Sequence, residues 1–195
     1  MEDPRRCRHL CVDMQRMFAE DTPWHIPWMQ RVREPAAALA GAHPAETIFT
    51  RFVTPKTPDE AQGSWRNYYE RWAQMTRGEL GDHMIDLLPE LKAMVPPARV
   101  FDKMVYSPWL DGRLHHVLRD QGVTTLVISG GETDVCVLAA VLGAIDLGYS
   151  IILATDAICS TSDETHDASL ALYGNRFSKQ LRLSDTEGIL RWWSD

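Results

Sequence analysis

The stretch Ser129-Gly130-Gly131-Glu132-Thr133-Asp134-Val135-Cys136 joins paired glycines to a cysteine at the expected start of a helix, a combination suited to acyl transfer. With Thr133 as N-cap, Cys136 falls in the first helical turn, where unpaired backbone N–H groups and the helix dipole favour a thiolate. Gly130 and Gly131 permit unusual dihedrals and close backbone approach, so N–H groups can point at a developing oxyanion. The following Val137-Leu138-Ala139-Ala140-Val141 reads as core, and Cys136 is equally open to a second reading as a small buried hydrophobe. Two further candidates follow apolar runs: Asp13 after His9-Leu10-Cys11-Val12, and Lys103 in Asp102-Lys103 after Arg99-Val100-Phe101. Taken singly, Asp13 also suits a loop cap and Lys103 a solvated charge.

These residues need elements to position them. Apolar runs at residues 9–12, 47–50, 99–101, 125–128 and 150–153, with a weaker one at 180–183, are expected as strands. Helix-length amphipathic stretches alternate with them, at residues 28–40, 64–75, 84–94, 110–121, 134–147, 162–176 and 186–193. That alternation predicts one α/β domain over residues 1–195, a three-layer α/β/α Rossmann-like fold on a six-stranded parallel sheet. Gly41 and Gly148 stand where helices should stop, and Ser162 and Thr133 where they should start. Residues 54–64, with two prolines and a glycine, read as a loop bordering the site. Ligands in such sheets sit beyond the carboxyl ends of the strands, where strand order reverses; in the common order 3-2-1-4-5-6, Asp13 and Cys136 face each other.

Composition narrows the function. The 195 residues are 45% hydrophobic, enough for a core, and 20 basic against 27 acidic residues give a net charge of -7 with no long basic run. A nucleic-acid binder is not expected. The longest apolar run is too short to span a bilayer and no signal-peptide-like stretch opens the sequence, so a soluble, cytoplasmic protein acting on a small molecule is expected, with no membrane partner. Cys7, Cys11, Cys136 and Cys159 are read as thiols, and the scattered histidines form no zinc-ligand spacing.

Val12-Asp13-Met14-Gln15 with Phe18, Asp102-Lys103 with Tyr106-Ser107, and Gly130 through Val137 with Asp146, Gly148-Tyr149 and Asp156-Ala157 together resemble the isochorismatase-like cysteine hydrolases. This family includes nicotinamidases and N-carbamoylsarcosine amidohydrolase. The resemblance covers essentially the whole chain. It implies the 3-2-1-4-5-6 sheet and a catalytic triad of Asp13, Lys103 and Cys136. It further implies a cis peptide at Gly131-Glu132, an oxyanion hole from the backbone N–H groups of Glu132 and Cys136, no cofactor, and a homo-oligomer, dimer or tetramer. The expected reaction is hydrolysis of a C–N bond in a small amide or carbamoyl compound through a thioester on Cys136. A vinyl-ether hydrolase independent of the thiol, and a non-catalytic binding protein on the same fold, are the alternatives.

The sequence also departs from that pattern. Metal-binding nicotinamidases carry an Asp-x-His element where this chain reads Thr50-Arg51-Phe52-Val53-Thr54-Pro55, so no metal site is expected. Glu132 stands where many relatives have a small or apolar residue; it suits a cationic substrate, an arginine across a subunit interface, or simply a helix N-terminus. Phe18, Trp24, Tyr106 and Trp109 are the aromatic pocket candidates, joined by Gly131 and Glu132, while Arg16 and Arg51 are candidates for a substrate carboxylate. Trp65, Tyr68, Tyr69 and Trp72 lie at helical spacing and are expected to pack or form an interface rather than line the pocket. His166 and the Trp192-Trp193 pair are read as structural or interfacial, with His166 remote from the triad.

Overall fold

A computed structural model describes residues 3–194. Six parallel strands, β1 (Cys7–Val12), β2 (Thr47–Phe52), β3 (Arg99–Lys103), β4 (Thr125–Gly131), β5 (Ser150–Cys159) and β6 (Leu181–Ser184), form one sheet in the order β3-β2-β1-β4-β5-β6. The α-helices among the described residues are α1 (Arg16–Ala19), α2 (Met29–Ala42), α3 (Ser64–Arg71), α4 (Arg77–Leu80), α5 (Pro89–Lys92), α6 (Arg113–Asp120), α7 (Cys136–Asp146), α8 (Asp163–Arg176) and α9 (Thr186–Ser194). None of them is long and apolar enough to cross a membrane.

The strands read as unbroken apolar runs because both faces of the sheet are covered. Cys11 of β1, Val127 of β4 and Ile152 of β5 point into a core with Val32, Ala36 and Leu39 of α2 and Ile189 of α9. Their neighbours Leu10, Leu126, Ile128 and Leu153 point the other way, against Leu118 of α6, Val137 and Val141 of α7 and Tyr173 of α8. This period-2 alternation makes the three layers.

Several boundaries move from their expected places. The expected helix over 84–94 is instead a 3-10 turn (Asp82–Ile85), an extended segment that bridges Leu87 to Gln15, and the single turn α5. Pro89 lacks an N–H and starts that turn rather than continuing an earlier helix. The helix expected over 64–75 stops at Arg71, Gly112 in a left-handed conformation delays α6 to Arg113, and Gly41 lies inside α2 rather than ending it. Gly148, with φ +86, follows α7, and Ser162 caps α8 by accepting from the Thr165 N–H.

His9 of β1 is fully buried within the sheet. His9 has one ring nitrogen 2.8 Å from Ser129 Oγ and the other 3.3 Å from Thr47 Oγ1, and burial lowers its pKa from 6.5 to about 3. The folded protein therefore holds His9 neutral, whereas the unfolded chain takes up a proton below pH 6.5. This contribution to stability is fully present above pH 6.5 and is lost as pH falls toward 3, with a slope approaching ~1.4 kcal/mol per pH unit. Urea unfolding of wild type and His9→Gln between these limits checks this: the variant should lose that component of the slope.

Candidate active site

The ends of three strands bring the chemistry together. Val12 of β1 pairs with Gly130 of β4, and Phe52 of β2 with Lys103 of β3, so Asp13, Lys103 and the loop leading to Cys136 meet at the carboxyl edge where strand order reverses. Asp13 takes the left-handed conformation, φ 51, which aspartate tolerates better than most residues. Its backbone N–H donates to Thr50 O at 3.2 Å and Thr50 Oγ1 at 3.1 Å; the Thr50 hydroxyl in turn donates to Asp13 Oδ1 at 2.6 Å. Asp13 Oδ2 accepts from Lys103 Nζ at 2.6 Å, and the same ammonium donates to Val105 O at 3.1 Å. Both side chains are almost wholly buried, 1% and 3% exposed. Burial acts to lower the Lys103 pKa, but the Asp13 carboxylate and Cys136 outweigh it and hold the ammonium above its usual range.

Cys136 is the first residue of α7 and lies within reach of both partners. Burial pushes its thiol well above the ordinary range; Lys103 pulls against that shift and Asp13 adds to it. Burial thus opposes the thiolate that the helix N-terminus and Lys103 favour. Thr133 is not the cap of α7. Its hydroxyl bonds Cys159 O at 3.1 Å and His166 Nδ1 at 2.9 Å, and its carbonyl accepts the Tyr173 hydroxyl at 2.6 Å. These bonds lock the loop between β4 and α7. His166, expected to be structural or interfacial and remote from the triad, is hydrogen-bonded to the loop that leads to Cys136.

The glycine pair has the unusual backbone geometry expected of it. Gly130 has φ +108, and a Cβ there would stand 2.0 Å from Val12 O; the Gly131-Glu132 peptide is cis. Gly130→Ala is expected to destabilise the fold by at least about 1–3 kcal/mol, since the clash is with backbone at a positive φ. Thermal and urea unfolding of this variant check it, and an unchanged midpoint contradicts it.

A cavity of about 260 Å³ opens on Cys136. Phe18, Trp24, Phe52, Tyr68, Trp72 and Tyr106 supply its aromatic wall, and Gly131, Glu132 and Thr161 border it beside the thiol. Phe18 stacks on Trp24 at 6.2 Å, and Trp24 meets Tyr68 at 5.8 Å. Burial raises the phenol pKa of Tyr68 and Tyr106, which keeps both neutral. Glu132 Oε1 accepts from the Thr161 N–H at 3.2 Å and the Thr161 hydroxyl at 2.8 Å. Burial raises the Glu132 pKa, the Thr161 hydroxyl opposes that, and Asp134 reinforces it.

The structure brings Asp13, Lys103 and Cys136 together and places Phe18, Trp24, Tyr106, Gly131 and Glu132 at the cavity. It removes two candidates from it. Trp109 is core: its indole N–H donates to Ala140 O at 2.9 Å and its ring lies where a side chain on Gly143 would clash. Arg51 is held by Asp102 at 2.7 and 2.8 Å and by Asp86 at 3.3 Å, and faces a separate depression on the surface. Arg16 pairs with Glu20. Tyr68 and Trp72 line the cavity against expectation, because the last turn of α3 and its C-cap residue Trp72 lie over the site.

Sequence reasoning also missed Thr50 and the anchoring role of Gln15. The buried Gln15 side chain donates to Phe52 O and Ile85 O and accepts from the Phe52 N–H at 2.6 Å, tying β1 to β2 below the cavity. The available signal was Thr50 within the apolar run of β2 and Gln15 shortly after that of β1. Among the described residues no group of three or more histidine, cysteine or acidic side chains is placed to hold a metal.

Comparison with known proteins places this geometry in context. The isochorismatase family model (Isochorismatase domain) matches residues 8–185. The chain is 29% identical over 127 residues to the uncharacterized isochorismatase family protein YwoC of Bacillus subtilis (strain 168), covering 65% of this chain and 60% of that protein. It is 32% identical over 115 residues to the ureidoacrylate amidohydrolase RutB of Serratia proteamaculans (strain 568), covering 59% of this chain and 41% of that protein. The matched stretches thus span roughly half the length of these curated relatives. Among solved structures, the cysteine hydrolase from Pseudomonas syringae pv. phaseolicola 1448A superposes with a TM-score of 0.86 at 22% identity, over 99% of this chain and 94% of that one.

Proposed function

The chain belongs to the isochorismatase family, and on that premise we propose that it is a cysteine amidohydrolase that cleaves a C–N bond of a small amide or carbamoyl compound. The observation that carries this reading is the buried Asp13–Lys103 pair, 2.6 Å apart, at strand ends that meet the start of α7, where Cys136 lines a cavity.

The steps follow from that placement. Asp13 takes the proton from Cys136 Sγ as the sulfur attacks the carbonyl carbon. The tetrahedral oxyanion is held by the backbone N–H groups of Glu132 and Cys136, the latter in the first turn of α7, where N–H groups have no intrahelical acceptor. Collapse breaks the C–N bond, and the proton on Asp13 goes to the departing nitrogen. A water molecule, deprotonated by Asp13, attacks the thioester; the acid leaves and Cys136 regains its proton. Lys103, donating to Asp13 Oδ2 at 2.6 Å, holds that carboxylate in position and favours negative charge on sulfur. These steps use only the chain's own residues and water.

Ammonia release from a panel of primary amides, ureido acids and nicotinamide tests the proposal. The expected result, from at least one member, is ammonia formed in equal amount with a carboxylic acid from an amide, or with carbon dioxide and an amine from a ureido acid. Silence across the panel with a thiol of ordinary alkylation rate would overturn it, as would pyruvate release from a vinyl ether in its place.

A further inference from the structure

The wall of the cavity on Cys136 contains one charged side chain, and it is negative. Six aromatic rings and Glu132 face the space, with no arginine or lysine among its lining residues. Lys103 lies deeper and is neutralised by Asp13 at 2.6 Å. Glu132 uses Oε1 to hold Thr161, and Oε2 has no hydrogen-bond donor or cationic partner among the described residues. Asp134, held by the Ser160 hydroxyl at 2.6 Å, adds further negative charge behind the same loop.

Such a surface selects by charge. Aromatic faces carry negative quadrupole potential and attract cations, most strongly ammonium groups that are poorly hydrated. A free carboxylate oxygen beside them adds to the attraction, and a carboxylate-bearing ligand would meet like charge without any positive side chain to receive it.

We propose that the site takes amides that carry a cationic ammonium group, seated on the aromatic wall beside Glu132 while the amide carbonyl lies at Cys136. This rests on the amidohydrolase reading only for the position of the carbonyl. Glu132→Gln is a clean probe, because a glutamine oxygen can still accept both Thr161 donors while the charge is lost.

The test uses two amides of matched shape, trimethylammonioacetamide and 3,3-dimethylbutanamide, in which a quaternary carbon replaces the quaternary nitrogen. Succinamate serves as the anionic member. Binding is measured calorimetrically on Cys136→Ala and on the Cys136→Ala/Glu132→Gln double variant, and ammonia release on the wild type and Glu132→Gln. The cation is expected to bind the Cys136→Ala protein at least about tenfold more tightly than its neutral isostere, with succinamate weakest. In the double variant that ratio should fall to within about threefold, and the ratio of kcat/KM values should fall with it.

Equal binding of the two isosteres, no detectable binding of the cation, or a ratio unmoved by Glu132→Gln would overturn the inference. Preferential binding of the cation without ammonia release from any member would uphold it and count against amide hydrolysis. Ammonia release with no preference between the isosteres would do the reverse.

Discussion

Cys136→Ala is expected to lower kcat for amide hydrolysis by on the order of 10⁴-fold or more, because no bond to the carbonyl carbon can form without the sulfur. The loss should be chemical rather than structural. Cys136 is 7% exposed and its replacement removes a single heavy atom, so unfolding should shift little. Cys136→Ser should also be severely impaired: the hydroxyl is harder to deprotonate, and Asp13 is the only base placed for it in the proposed mechanism. Labelling provides an independent view. Cys7, Cys11 and Cys159 have no exposed surface, whereas Cys136 opens on the cavity, so iodoacetamide should modify Cys136 first in the folded protein. Since burial keeps this thiol protonated, Asp13→Asn should slow that modification markedly. Turnover that survives Cys136→Ala would point to chemistry without a covalent intermediate.

The second large effect concerns the ion pair beneath the thiol. Lys103→Ala leaves the Asp13 carboxylate, 1% exposed, without its cation, and is expected to cost about 3–5 kcal/mol of folding stability. Asp13→Asn suits the left-handed backbone at this position and keeps the shape of the side chain, but strands the Lys103 ammonium. It should reduce kcat on the order of 10²–10⁴-fold through loss of the base. The double variant Asp13→Asn/Lys103→Ala removes both charges and should be more stable than the sum of the single effects predicts. Because the Lys103 pKa is raised by folding, its contribution is fully present below the ordinary lysine pKa of 10.5 and is lost as pH rises through the higher folded value. Urea unfolding of the four proteins at neutral pH measures the coupling directly. Strict additivity would show that the two groups do not stabilise each other.

Much of this arrangement was legible in the sequence, for identifiable reasons. A sheet covered on both faces writes its strands as apolar runs, and Leu10, Val127 and Ile152 mark them plainly. The strand ends were less legible. β4 and β5 continue beyond the apolar runs because pairing resumes after a register shift, Gly130 opposite Ile158 and Gly131 opposite Cys159, and no local pattern encodes that long-range match. Strand order alone juxtaposes the ends of β1 and β4 and with them Asp13 and the loop to Cys136, whereas β3 lies two strands from β1 and Lys103 joins them in the sequence only through the family resemblance. The pocket wall was harder. Trp109 is the pocket candidate in the sequence and Trp72 part of a stripe expected to pack, yet Trp109 fills the space above Gly143 and Trp72 faces the cavity, because tertiary packing rather than local spacing decides which ring is exposed there. Arg51 looked available for a substrate because its acidic partners, Asp86 and Asp102, come from distant parts of the chain. Thr133 fitted a cap pattern, but its hydroxyl finds Cys159 and His166 instead, both brought in by tertiary contact.

The account turns on a covalent bond to one sulfur, and trapping that bond is its most direct test. An amide that supports turnover is mixed with the protein, the reaction is quenched in acid before completion, and the digest is analysed by mass spectrometry. The predicted result is an acyl group, equal in mass to the substrate amide less its amine and joined as a thioester, on the peptide containing Cys136. Ammonia released at full rate with no acyl group on Cys136 at any quench time, together with unimpaired turnover by Cys136→Ala, would contradict the account.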